Sequence, residues 1–216
     1  MPFSSHLTFI PSIMNLPNLL TLSRVPFLFV ISILMYWEFR YANSIAFVVF
    51  VIAGLTDWLD GKIARDMGII SVFGQLMDAL TDKILTVGLF VLFLSIGILL
   101  DWMMFMVLLI LAREFLITGL RMVAAAKSVV LPAEKAGKIK TVFQIISIGA
   151  LIVARALEVD WQPYLNMEIE PVAVFGYYFG WILFSIATLM TVYSGSSYMI
   201  KYWGLFSGSS DSNSER

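Results

Sequence analysis

Cysteine is absent from the 216 residues, and histidine occurs once, at His6. The first absence excludes disulfides and thiolate chemistry. The second excludes a histidine-built zinc site or a catalytic imidazole, because His6 lies outside every hydrophobic run. Charge is scarce too: 13% of residues are charged and 60% are hydrophobic, whereas a soluble domain carries about 25% charge. With a mean hydropathy of +0.89, the chain reads as a single-domain, all-α, polytopic membrane protein. The net charge of −1 gives no reason to expect a nucleic-acid partner. The amino terminus lacks a basic n-region, so no cleavable signal peptide is expected.

Hydrophobic runs predict six transmembrane helices, at roughly 19–37, 43–65, 74–100, 102–126, 137–156 and 172–201. Residues 1–17, broken by Pro2, Pro11 and Pro17, suit a short interfacial element ahead of a membrane domain spanning 18–203. The Ser-rich tail 204–216 is expected to be disordered. Alternate connections differ in charge. Lys62, Arg65, Lys127, Lys135, Lys138, Lys140, Lys201 and Arg216 fall on one side. Arg40 and Arg155 fall on the other, with Glu38, Asp101, Glu158, Asp160, Glu168 and Glu170. The positive-inside rule then places the basic side and both termini in the cytoplasm of a cell inner (plasma) membrane.

One stretch, residues 56–83, concentrates acid in an apolar setting: TDWLDGKIARDMGIISVFGQLMDALTDK. Spacings of three and four put Asp57 and Asp60 on one helix face, and Asp78 and Asp82 on another. Facing carboxylates repel in a low dielectric, so they call for a cation. Oxygen-only ligands select a hard ion, Mg2+ or Mn2+. Gly61 and Ala64 are small enough to let a bulky ligand approach, and Arg65 offers a planar cation for phosphate. Metal, glycine and arginine together describe a diphosphate site. The plainer alternative, a salt-bridge network of Asp57, Asp60, Arg65 and Lys83, leaves acids in excess.

Length sets the depth of this site. Thirteen uncharged residues, 44–56, precede Asp57 and cover about 20 Å, less than the ~30 Å hydrocarbon core. The aspartates therefore sit just inside the cytoplasmic leaflet, which requires a water-filled cavity. Arg113, Glu114 and Arg121 interrupt helix 4, and Lys138 and Lys140 open helix 5, at the same depth. These cations, with Lys135, suit a second anion, with Glu114 either orienting an arginine or neutralising it. Helix 6, uncharged from Pro171 to Ile200, is expected to contribute nothing to the site and to face lipid or another copy. A metal, a diphosphate pocket and a second anion pocket point to phosphoryl transfer between a lipid and a soluble substrate, with one aspartate taking a proton.

The same stretch matches D-x2-D-G-x2-A-R-x8-G-x3-D-x3-D at Asp57, Asp60, Gly61, Ala64, Arg65, Gly74, Asp78 and Asp82. On this motif the chain resembles the CDP-alcohol phosphotransferases. The resemblance implies six transmembrane helices, a homodimer and two divalent metals at the four aspartates. Asp57 and Asp78 would bridge both metals, Asp60 would hold one, and Asp82 would hold the other and act as base. Asn18, Thr21, Gly61, Arg65 and Ser71 would contact the CDP portion of the donor, with Ala64 and Gly74 completing the signature.

The segments AREFLITGLR (112–121), GKIKT (137–141) and NLPNLLTLSRVP (15–26) resemble the branch that joins CDP-diacylglycerol to glycerol 3-phosphate. By that likeness Arg113, Arg121, Lys138 and Lys140 would bind the acceptor's phosphate. Sister enzymes with inositol phosphate, serine or phosphatidylglycerol as acceptor are the near alternative. A membrane prenyltransferase would place its aspartate motifs on well-separated helices, and a cation transporter or channel would place its acids near the bilayer centre.

Overall fold

The computed structural model describes the backbone of residues 24–37, 39–67, 72–126, 129, 131, 135–165 and 168–203, and side chains over these residues except at 57–79, 82, 126, 135 and 136. The 1–17 segment, Asn18, Thr21, Ser71 and the 204–216 tail lie outside them. The described residues are helical, with no strand among them. The helices are α1 (Arg24–Trp37), α2 (Ala42–Met67), α3 (Val72–Ser95), α4 (Met104–Ala126), α5 (Lys135–Arg155) and α6 (Glu170–Tyr202). A 3-10 turn, Asp101–Met103, leads into α4, and a π-helical stretch, Ala156–Trp161, extends α5. Among the described residues, three helices are long and apolar enough to cross a membrane: Asp101–Ala125, Gly137–Trp161 and Glu170–Tyr202. Arg24–Trp37, Ala42–Thr56 and Lys83–Ser95 are shorter apolar stretches.

The most extensive helix pair is α5 with α6, and α6 also packs on α4. α1 packs on α2 and α3, and α5 on α2. Between them Phe90, Phe93, Phe184, Leu151 and Ile152 form a fully buried centre. Phe90 and Phe184 bring their rings to 4.6 Å, and Ser147 Oγ donates to the Gly180 carbonyl at 2.8 Å, tying α5 to α6. Large apolar side chains such as Phe29, Val48, Phe105, Phe175 and Leu189 point outward. An apolar exterior around an apolar centre suits a lipid solvent, where packing and small residues rather than water exclusion hold helices together.

Two ends depart from the hydrophobic runs. The run through residue 100 predicts a longer third helix, yet α3 stops at Ser95. Gly97 adopts φ +73°, a conformation that costs glycine little. Its N–H donates to Leu94 O at 3.3 Å and that of Ile98 to Phe93 O at 2.8 Å, a Schellman cap. Ile98 and Leu99 then fold back into the core instead of continuing the helix.

The second departure is at the far end of α5. Asp160, expected among the charges of an exposed connection, is 3% exposed. The wider π-helical turn carries it to the start of α2. There its carboxylate accepts from Asn43 Nδ2 (2.9 Å), Ser44 N (2.7 Å) and Ser44 Oγ (2.8 Å). An acid at a helix N-terminus satisfies otherwise orphaned N–H groups and meets the positive end of the dipole. Trp161 Nε1 donates to Ser44 Oγ at 3.0 Å. Tyr41, held at φ 63°, packs on Trp161 at 5.5 Å and Tyr164 at 6.0 Å. The Arg40 guanidinium lies over the Tyr41 and Tyr164 rings at 5.0 and 4.8 Å.

Candidate active site

The acidic motif rides on two helices. α2 is helical through Asp57, Asp60, Gly61, Ala64 and Arg65, and α3 through Gly74, Asp78 and Asp82. The side chains of these residues lie outside the description. Four carboxylates, two per helix and no nitrogen or sulfur among them, are a donor set that fits a hard divalent cation.

The basic half is visible in full. Arg113 and Arg121 from α4, and Lys138 and Lys140 from α5, all line one cavity of ≈ 360 Å³. The sequence predicts these four as a group, and the fold brings them together. Lys83, the residue after Asp82, also lines it, so the cavity wall begins one position beyond the acidic motif. Among the described side chains, five cations and one carboxylate, Glu114, line the space. A cavity so charged suits a small polyanion. Guanidinium forks and an ammonium together match the several oxygens of a phosphate monoester.

Glu114 is 8% exposed and Lys140 is 4% exposed. They form a buried ion pair between α4 and α5, and Arg113 Nη1 approaches the same carboxylate at 3.3 Å. Glu114 therefore does both things left open by the sequence: it neutralises part of the cluster and fixes two of its cations. Thr118 Oγ1 donates to the Glu114 carbonyl at 2.7 Å, one turn along α4.

The expectation that the sixth helix adds nothing polar is wrong. α6 supplies Ser194, whose Oγ accepts from Arg113 Nη2 at 3.0 Å. It supplies Tyr198, whose hydroxyl accepts from Arg121 Nε at 3.3 Å and whose ring lies 5.5 Å from the guanidinium carbon. Counting charges overlooked hydroxyls. The signal was present as Thr188, Thr191, Ser194 and Tyr198, spaced three, three and four residues apart; all four are buried. This is the stripe of a helix face turned inward.

Comparison with known proteins shows the family. The CDP-alcohol phosphatidyltransferase family model matches residues 14–193. A Bacillus subtilis (strain 168) protein named CDP-diacylglycerol–glycerol-3-phosphate 3-phosphatidyltransferase is 32% identical, over 88% of this chain and 95% of its own. One of the same name from Rickettsia typhi is 34% identical over 85% of this chain and 94% of its own. A third, from Salmonella choleraesuis, is 29% identical over 86% and 93%. The match spans both acid-bearing helices and the five cations of the cavity, and the chain belongs to the CDP-alcohol phosphatidyltransferase family.

Proposed function

We propose that this membrane protein is a phosphatidylglycerophosphate synthase, which joins CDP-diacylglycerol to glycerol 3-phosphate and releases CMP. Family membership and the names of relatives that align along most of their length support the donor and the reaction. The observation that carries the acceptor is the shared cavity of Arg113, Arg121, Lys138 and Lys140. An acceptor with its own phosphate requires such a cluster, whereas serine would not.

In this reading six helices cross the bilayer. α2 has 26 residues and α3 has 24, about 39 and 36 Å at 1.5 Å per residue. Both reach across if their charged turns lie at head-group depth. The charge asymmetry of the connections puts those turns and both termini at the cytoplasmic face. The protein works as a homodimer.

Asp57, Asp60, Asp78 and Asp82 would hold two divalent ions, Mg2+ or Mn2+. Bound there, the ions would bind the diphosphate and offset charge on the leaving group. Asn18, Thr21, Gly61, Ala64, Arg65, Ser71 and Gly74 would shape the donor pocket. The cationic cavity fixes the acceptor by its phosphate, so that its primary hydroxyl faces the lipid-side phosphorus of the donor. Asp82 takes the hydroxyl proton as the new P–O bond forms and the bond to CMP breaks.

Purified protein supplied with labelled CDP-diacylglycerol, Mg2+ and a panel of alcohols tests the assignment. Turnover is expected with glycerol 3-phosphate. Turnover with inositol phosphate and none with glycerol 3-phosphate would overturn it.

A further inference from the structure

α6 carries no charge between Pro171 and Ile200, yet it touches both arginines of the cavity. Ser194 and Tyr198 stand one turn apart on α6, and Arg113 and Arg121 stand two turns apart on α4. Ser194 is 1% exposed, as is Tyr198. The Ser194 hydroxyl donates to the Thr191 carbonyl at 3.3 Å. Its lone pairs are thereby turned towards Arg113. The Tyr198 ring is itself braced by Tyr202 at 4.7 Å. Between the two, Gly195 admits the stem of Arg113. A methyl group there would sit 2.7 Å from Arg113 Cγ, closer than van der Waals contact allows. Three consecutive contacts thus set where the two guanidiniums point.

We propose that α6 is the specificity element of the anion pocket, with Ser194 and Tyr198 as positioning residues that hold Arg113 and Arg121 in the geometry a phosphate monoester requires. The inference rests on the phosphate-acceptor reading above. A long guanidinium side chain loses rotamer freedom when it is ordered. Fixing it before the ligand arrives removes that cost from binding. Neither hydroxyl touches the reacting atoms in this scheme, so their loss weakens acceptor binding and spares the chemical step.

Kinetics of the full-length enzyme test this, with donor and acceptor varied separately. Tyr198→Phe keeps the ring beside Arg121 and removes the hydroxyl; Ser194→Ala removes the other, and Ser194→Thr retains one. Each deletion should raise KM for glycerol 3-phosphate about three- to tenfold, the worth of one hydrogen bond. KM for CDP-diacylglycerol and kcat should stay within about twofold on the same reasoning. Ser194→Thr should recover most of the loss. An equal rise in both KM values, or a fall in kcat at unchanged KM, would overturn the proposal. Either deletion carries the test should the other variant not fold.

Titration with inorganic phosphate alone separates this inference from the reading beneath it. Wild-type protein that binds no phosphate and accepts an uncharged alcohol would sink the reading. Wild-type protein that binds phosphate, with the same affinity in Tyr198→Phe and Ser194→Ala, would sink only the role of α6. Weaker phosphate binding in both variants supports that role whichever phosphorylated alcohol is the acceptor.

Discussion

The two ends of the helical bundle both gather charge, and they treat it in different ways. At the α5–α6 connection, Asp160 is enclosed and accepts three hydrogen bonds from Asn43 and Ser44. Its demand for partners is met within the chain. At the other end, among the described side chains, five cations and one carboxylate line a cavity of ≈ 360 Å³. Among the described side chains, Glu114 pairs there with Lys140 and Arg113. A buried acid whose hydrogen bonds are met by its own chain ties two elements together; cations that line open space are placed to meet an anion. The contrast separates a structural polar cluster from a binding one without reference to any relative.

Substitutions at the two ends should therefore fail differently. The largest effect is expected beside the cavity, at Asp82. Asp82→Asn keeps the shape and removes the proton acceptor, so turnover should fall by about 10²–10⁴-fold, the usual worth of a general base. CDP-diacylglycerol binding, measured by equilibrium filtration, should persist; wild-type turnover would remove Asp82 from that role.

Arg121→Ala comes next. Losing a charge-assisted hydrogen bond costs about 1.5–3 kcal/mol, so KM for glycerol 3-phosphate should rise about tenfold or more. The donor's KM should barely change, and equal effects on both would mean that the pockets are misassigned.

The smallest catalytic effect is expected at the opposite end. Asp160→Ala strands the donors of Asn43 and Ser44, at about 1–3 kcal/mol for each buried group left unsatisfied. The midpoint of thermal unfolding in detergent should drop, while both KM values of the folded protein hold. A change in acceptor KM in this variant would blur the distinction between the two ends.

The amino-acid sequence reveals much of this arrangement where charge interrupts hydrophobic runs. Arg113, Arg121, Lys138 and Lys140 stand out because cations within apolar helices are costly and must share a wet space. The fold gives them one. The acidic motif is equally visible in its spacing, on segments that are helical as expected.

Three features escape that logic. The stop of α3 at Ser95 depends on the backbone of Gly97, whereas the hydrophobic run continues through it. The burial of Asp160 depends on a π-helical turn, which redirects a side chain without any mark in composition. The share of α6 in the cavity depends on uncharged hydroxyls, Ser194 and Tyr198. Hydropathy averages them away among the apolar residues of α6. In each case geometry, not composition, carries the information.

An equilibrium titration of glycerol 3-phosphate into full-length protein, with Arg121→Ala and Asp160→Ala run side by side, tests the central claim most directly. Arg121→Ala should weaken binding about tenfold or more, and Asp160→Ala should match the wild type. Equal affinities in all three proteins, or equal losses in both variants, would contradict the assignment of the cationic cavity to the acceptor.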